Sequence, residues 1–161
     1  MEPILEPALE TRPEQPYVSI AIEAPLSEWG KVNALVPEVF DWLARRGVPP
    51  VGALFYRYHS VADDVLSVEV GVPVATPQEG DGRVRAGSKP AGTYAVLVHE
   101  GHPDRIRDTF AKLDDWAHRE GVEWDLVDGV WAGRFESYLT DPAEEPDLGK
   151  WRTEVAYRVV G

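Results

Sequence analysis

Two stretches of this chain run through the same succession of hydrophobic periodicities, and that repetition limits the fold more than any single residue does. Over residues 17–23 apolar and polar side chains alternate, which puts Val18, Ile20 and Ile22 on one face of an extended segment. A helical stripe follows: Leu35, Val39, Trp42 and Leu43 recur at three- and four-residue spacing until Arg45, Arg46 and Gly47 supply a cationic last turn and a stop. Ser27, after Pro25, is the expected N-cap, and Pro37 is expected to bend the helix or mark its restart. Two strands are expected over residues 51–59 and 65–74, the second with Leu66, Val68, Val70 and Val72 as its apolar face. Residues 77–90 are rich in glycine, proline and charge, and after them the order begins again. A strand is expected over 92–100 and a helix over 104–120, with Ile106, Phe110, Leu113 and Trp116 on its buried stripe and Gly121 as its stop. Strands over 130–139 and 152–160 complete the second half.

Laid side by side, the half-repeats 17–75 and 91–160 align Tyr17 with Tyr94, Gly47 with Gly121, Tyr56 with Glu136 and Glu69 with Glu154. The spacing drifts as loops lengthen while the order holds, which favours duplication and packing about a pseudo-twofold axis. The expected fold class is therefore α+β: duplicated β-α-β-β units forming an antiparallel sheet sandwich with two helices and a central ligand cleft. Tyr56 and Glu136 then face one another across the axis. Both helices pack on one sheet face, and the other face is left concave and open to a ligand. Residues 1–16, rich in proline and glutamate, read as an extended lead-in, able to add an edge contact but not to nucleate structure, before a single domain over residues 17–161.

Charge and cysteine content narrow the chemistry. Sixteen Lys and Arg stand against 28 Asp and Glu, a net charge of −12 that repels phosphate backbones and favours cations. Direct nucleic acid binding is not expected. No apolar run approaches a membrane span and the first residues do not read as a signal peptide, so the expectation is a cytoplasmic protein with no membrane partner. The absence of cysteine excludes disulfides, thiolate catalysis and zinc–thiolate sites.

The segment with most chemical content is Phe135-Glu136-Ser137-Tyr138-Leu139-Thr140-Asp141-Pro142. At a two-residue period Glu136 and Tyr138 share one face of the strand, a carboxylate beside a phenol. The ordinary explanation for a mid-strand glutamate is a solvated face. Turned inward, it needs an answering cation or donor because desolvation of a carboxylate is costly. Trp131 lies just upstream, and Tyr56, Tyr58, Trp124 and Trp151 are candidates to gather round it; an acid among aromatic rings suits a flat, apolar or cationic small molecule. Glu69 and Glu154 either line the same cleft or pair with an arginine such as Arg57 or Arg134. Trp42 and Trp116 belong to helical stripes and are expected in the core, His59 and His118 read as packing residues, and Trp29 and Tyr157 fit no pattern. His99-Glu100-Gly101-His102 is not a zinc motif, because its histidines are three apart at a strand-to-helix junction and cannot share a helix face. No metal and no cofactor are expected.

The runs Ser67-Val68-Glu69-Val70-Gly71-Val72-Pro73-Val74, Pro90-Ala91-Gly92-Thr93-Tyr94-Ala95 and 135–142, with the closing Glu154-Val155, resemble the GyrI-like effector-binding domains. These are the ligand-sensing half of AraC-type and multidrug-sensing transcription regulators and also occur as stand-alone proteins. The resemblance covers nearly the whole chain in the family's order. It implies a cleft that binds lipophilic, often cationic aromatic compounds. It carries the family's buried acid over to Glu136, with Tyr138 beside it; Tyr56, Tyr58, Trp131, Glu69, Tyr94 and Trp151 complete the expected ligand-binding set. Some relatives are hydrolases that open strained cyclopropane rings of alkylating natural products with Glu, Tyr and Trp in the same cleft.

Two main classes of function follow. In a binding module, used for sensing or sequestering xenobiotics, an ionised Glu136 meets a ligand cation while aromatic rings stack on the ligand. In a cofactor-independent hydrolase, burial raises the pKa of Glu136 so that it takes a proton from water, and Tyr138 or Tyr56 donates to the leaving carbonyl oxygen. A third alternative is a gyrase-inhibitor-like protein–protein contact. The sequence shows no DNA-binding segment, so a transcriptional role is expected to need a protein partner; monomer and homodimer are both compatible with the pattern.

Overall fold

The computed structural model describes residues 6–141 and 144–160; residues 1–5 of the expected lead-in, Pro142 of the 135–142 segment, Ala143 and Gly161 lie outside the described residues. The expected α+β class is realised as one curled antiparallel sheet of eight strands with its helices on one face. In chain order the strands are β1 (Ala8–Arg12), β2 (Gln15–Pro25), β3 (Phe55–Ala62), β4 (Val65–Pro73), β5 (Arg85–Lys89) and β6 (Gly92–Glu100). A small hairpin of β7 (Leu126–Val127) and β8 (Val130–Trp131) follows, then β9 (Arg134–Tyr138) and β10 (Arg152–Arg158). The order across the sheet is β1-β6-β10-β9-β3-β4-β2-β5. From either edge this order meets a short edge strand, then the first, third and second strands of a half. The halves meet where β9 pairs with β3, and there Tyr56 lies in register with Glu136.

The short strands β1 and β5 come from segments whose sequence reads as lead-in and linker. Each pairs along one side only, β1 with β6 and β5 with β2, and is partly exposed. An edge strand of this kind draws on backbone hydrogen bonds and need not carry a strong apolar alternation. The expected strand over 130–139 is interrupted at Ala132 and Gly133, so that β8 folds into the hairpin while β9 stays in the sheet.

Both main helices end where glycine permits: Gly47 and Gly121 take the left-handed conformation, with φ of 66° and 69°, and cap α2 (Leu35–Arg46) and α3 (Ile106–Glu120). Before α2 comes a one-turn helix, α1 (Trp29–Asn33), separated from it at Ala34. Pro37 is the cause. It has no N–H to donate to the Asn33 carbonyl, so the hydrogen-bond ladder is interrupted at that residue. Ser27 does not cap: it lies inside a 3-10 turn, Leu26–Glu28, that leads directly into α1, and its side chain makes no capping bond.

Three apolar clusters hold the layers together. Val39, Trp42 and Leu43 of α2 pack on Val18, Ile20, Val68 and Val70, whereas Leu113 and Ala117 of α3 lie over the second half, where Leu113 joins Leu97, Val155 and Tyr157. Burial of each such Val or Leu is worth about 1.5–3 kcal/mol. On the helix-free face Tyr17, Phe55, Tyr94 and Phe135 pack on one another. The Phe55 ring lies directly over Gly71, where an added Cβ would come within 2.5 Å of it. No helix among the described residues is long and apolar enough to cross a membrane.

Candidate functional site

At the centre of the sheet, β3 and β9 present Tyr56, Tyr58, Glu136 and Tyr138 on the helix-bearing face, between the two helix-covered clusters. Glu136 is 7% exposed. Its two carboxylate oxygens accept hydrogen bonds from phenols, Tyr58 at 2.9 Å and Tyr138 at 2.6 Å. The Tyr56 ring meets that of Tyr138 edge-on at 5.3 Å, and its hydroxyl donates to the side-chain oxygen of Asn33 at the end of α1. Trp29 opens α1 and closes the site from the other side, stacked on Tyr58 with an interplanar angle of 10° and tilted against Tyr56.

Burial raises the pKa of Glu136 above the ordinary carboxylate range, and the bonds from Tyr138 and Tyr58 with the charges of Arg134 and His99 only partly offset it. The phenols move in the same direction. Burial and the neighbouring carboxylate hold Tyr58 and Tyr138 far above their usual values and raise Tyr56 to about 12. All three are therefore neutral donors at physiological pH. Among the described residues no ion pair reaches Glu136; what answers its charge directly is two neutral hydroxyls.

A cation already lies close by. The Arg134 guanidinium sits over the rings of Trp131 at 4.4 Å, Tyr157 at 4.7 Å, Phe110 at 5.3 Å and Tyr58 at 5.4 Å. Its buried Nε has no hydrogen-bond partner. The aromatic wall beside Glu136 thus already holds a planar, delocalised positive charge.

The structure brings together four of the eight residues expected to bind ligand: Glu136, Tyr138, Tyr56 and Tyr58. Trp131 meets the group through the Arg134 guanidinium, which also sits over Tyr58. Trp151 lies just before β10, with its indole donating to the Glu145 carbonyl. Glu69 and Tyr94 are on the opposite face of the sheet. There the Glu69 carboxylate accepts from Tyr17 and Ser19 and meets His59 and Arg57; burial alone would raise its pKa, but the His59 and Ser19 bonds and the charges of His59 and Arg57 hold it below the usual range. Glu154 pairs with Arg12, an arginine not considered for it from sequence. Trp124 packs edge-on against Tyr157 in the α3 cluster. The acid does not lie on the face expected to be open to ligand: Glu136 and Tyr138 share the helix-bearing face, because the pleat that puts Phe135 into the helix-free aromatic cluster points Glu136 the other way.

Trp29 and Asn33 escaped the sequence reading. Neither lies on a periodic stripe, and the only sign of them is the Pro37 interruption that leaves a short turn free to cover the site. His99 is buried, bonded to Thr109 and the His102 carbonyl, and among the described residues no group of three or more His, Asp or Glu side chains could hold a metal.

The sequence matches the family described as GyrI-like small molecule binding domain over residues 5–160. No curated protein matches it. Among solved structures, the C-terminal domain of EcmrR superposes with a TM-score of 0.80 at 23% identity, covering 96% of this chain and 97% of that one. In the EcmrR–DNA complex the match covers 96% of this chain but 57% of the EcmrR chain, at a TM-score of 0.78 and 23% identity, so this chain spans little more than half of that protein's length. SAV2435 bound to tetraphenylphosphonium matches at a TM-score of 0.65 and 14% identity, over 98% of this chain and 95% of that one. A hydrolase from Listeria innocua matches at 0.67 and 14%, over 99% and 94%. At these identities the structures show a shared fold.

Proposed function

Because this chain belongs to the family of GyrI-like small molecule binding domains, we propose that the centre of its sheet is a receptor for lipophilic aromatic cations, with Glu136 as counter-ion and Tyr56, Tyr58 and Tyr138 as stacking surface. The observation that carries this reading is a buried carboxylate hydrogen-bonded to neutral phenols and, among the described residues, in no ion pair, beside aromatic rings that already hold a guanidinium. A ligand cation would supply the charge that Glu136 lacks, and each ring contact would add about 0.5–2 kcal/mol. The chain's net charge of −12 attracts cations to the surface. SAV2435, of like fold, is a protein bound to tetraphenylphosphonium, a lipophilic aromatic cation. Ligand entry requires the Trp29–Asn33 turn to shift, since Trp29 occupies the stacking face of Tyr58.

The test is titration of tryptophan fluorescence with tetraphenylphosphonium, on the wild type and on Glu136→Gln. Saturable quenching that the Gln variant loses by about tenfold or more in affinity supports the reading; equal affinity for both removes Glu136 from the site. The raised pKa of Glu136 beside Tyr138 also fits proton abstraction from water. Mass spectrometry after incubation with a cyclopropane-bearing electrophile covers that second reading: ring-opened product formed by the wild type and not by Glu136→Gln adds turnover to binding.

A further inference from the structure

The helix-free face carries a cavity that the cation site does not use. It lies over Phe135, on the opposite side of β9 from Glu136, with a volume of about 220 Å³, lined by Arg12, Gln15, Lys89, Tyr94 and Phe135 with two prolines. Its charge is the reverse of the chain's. Lys89 places Nζ 4.3 Å from the ring centroid of Phe55 and 4.9 Å from that of Phe135, and among the described residues this Nζ makes no hydrogen bond or ion pair. The other charges facing it are engaged. Arg12 pairs with Glu154 at 2.7 Å, and Arg57 donates to the Tyr17 hydroxyl and to the carbonyls of Ser88 and Ala132. Glu10 and Glu154 both pair with Arg12, and Glu69 is met by Arg57 and His59, so none of the three pairs with the Lys89 ammonium, which is left half-buried against aromatic rings.

An ammonium taken out of water without an acceptor is costly, and an anion that completes it recovers that cost. The rings and prolines around it suit a flat apolar body. The volume falls below the roughly 300–1,000 Å³ usual for drug-sized ligands, which points to a single ring. We propose that this pocket is a second binding site, for a small aromatic carboxylate whose anionic head accepts from Lys89 and whose ring lies against Phe135 and Tyr94. The face opposite the cation receptor would then recognise ligands of opposite charge, and the two sites share β9 as their common wall. Burial, assisted by the charges of Arg12 and Arg57 and opposed by Glu154, lowers the Lys89 ammonium to about 8, so the site would also be pH-dependent. Of the other groups facing it, the Arg12 guanidinium and the Tyr94 phenol are both held above their ordinary values, well clear of that range.

Backbone amide chemical shifts followed during titration with benzoate test this, with benzyl alcohol and acetate as controls for charge and ring. The expected result is saturable shifts at Lys89, Tyr94 and Phe135, with affinity about tenfold or more higher than for either control and lost to a similar degree in Lys89→Met, which keeps the apolar stem. Affinity of the wild type should also fall by about tenfold or more between about pH 7 and pH 9.5 as Lys89 loses its proton while benzoate stays ionised. This arm does not depend on the variant folding. Absence of saturation, equal affinity in Lys89→Met, or affinity unchanged over that pH interval would each overturn the proposal.

Discussion

Glu136 illustrates how one residue can be costly to the fold and useful to the site. Its folded pKa is raised, so folding disfavours its ionised form. The sign follows from linkage: the wild type gains stability as pH falls from its folded pKa towards the unfolded value near 4.5, and above the folded pKa it carries the full cost of a buried charge. Glu136→Gln should therefore be more stable than the wild type above the folded pKa, with the gain shrinking as pH falls through it. Urea denaturation at neutral and acid pH measures this; a Gln variant less stable above the folded pKa would mean that the two phenol bonds outweigh desolvation. Glu69 has the opposite sign. Its pKa is lowered by His59, Ser19 and Arg57, so it supports the fold above the unfolded pKa and loses that contribution as pH falls through the folded one. Two glutamates on strands of the same sheet thus divide into a stabilising and a destabilising one according to what answers each charge.

At the scale of elements, the decisive feature is the interrupted helix. Because Pro37 detaches α1 from α2, Trp29 and Asn33 can lie over the site, tied to the sheet by ring contacts with Tyr56 and Tyr58 and by the bond between Tyr56 and Asn33. Asn33→Ala leaves the buried Tyr56 hydroxyl without that partner, and should lower stability by about 1–3 kcal/mol in chemical denaturation. If the turn gates ligand entry, the same substitution should raise the association rate for tetraphenylphosphonium in stopped-flow fluorescence, since one of the contacts that hold the turn closed is gone. A loss of stability with no change in rate would make the turn a fixed wall and not a gate.

For the whole molecule, burial of tyrosine governs the alkaline limit. The chain has six tyrosines, and burial raises the pKa of every one of them, to about 12 for Tyr17 and Tyr56. Each ionises more readily in the unfolded chain than in the fold, so stability falls as pH rises above about 10, by about 1.4 kcal/mol per pH unit for each phenol still protonated in the folded state. Lys89 works the other way, since its lowered pKa lets the fold gain stability between about 8 and 10.5, but it is one group against six. Tyrosinate absorbance and circular dichroism should change together in a single steep transition above pH 10. Gradual tyrosinate formation with unchanged circular dichroism would show that the phenols are accessible to solvent.

Alternating apolar residues, helical stripes and glycine stops were readable in the chain because period and stop chemistry are local: Gly47 and Gly121 end their helices where expected, and β6 spans the predicted residues. The pairing of Tyr56 with Glu136 was readable too, since β9 and β3 meet at the middle of the sheet. Edge strand β5 was not, and β1 was legible only as an edge contact of the lead-in, because a strand bonded on one side leaves little trace in side-chain pattern. Nor was the division of the candidate residues between two faces. Alternation says that neighbours point apart, but which side a helix covers depends on how α2 and α3 pack, and only that packing put Glu136 under Trp29 while Glu69, Tyr94 and Lys89 went to the other face. The sequence by itself determined the main strands and helices of each half and their order; the tertiary structure decided which charges are answered, because desolvation and pairing depend on neighbours far apart in the chain.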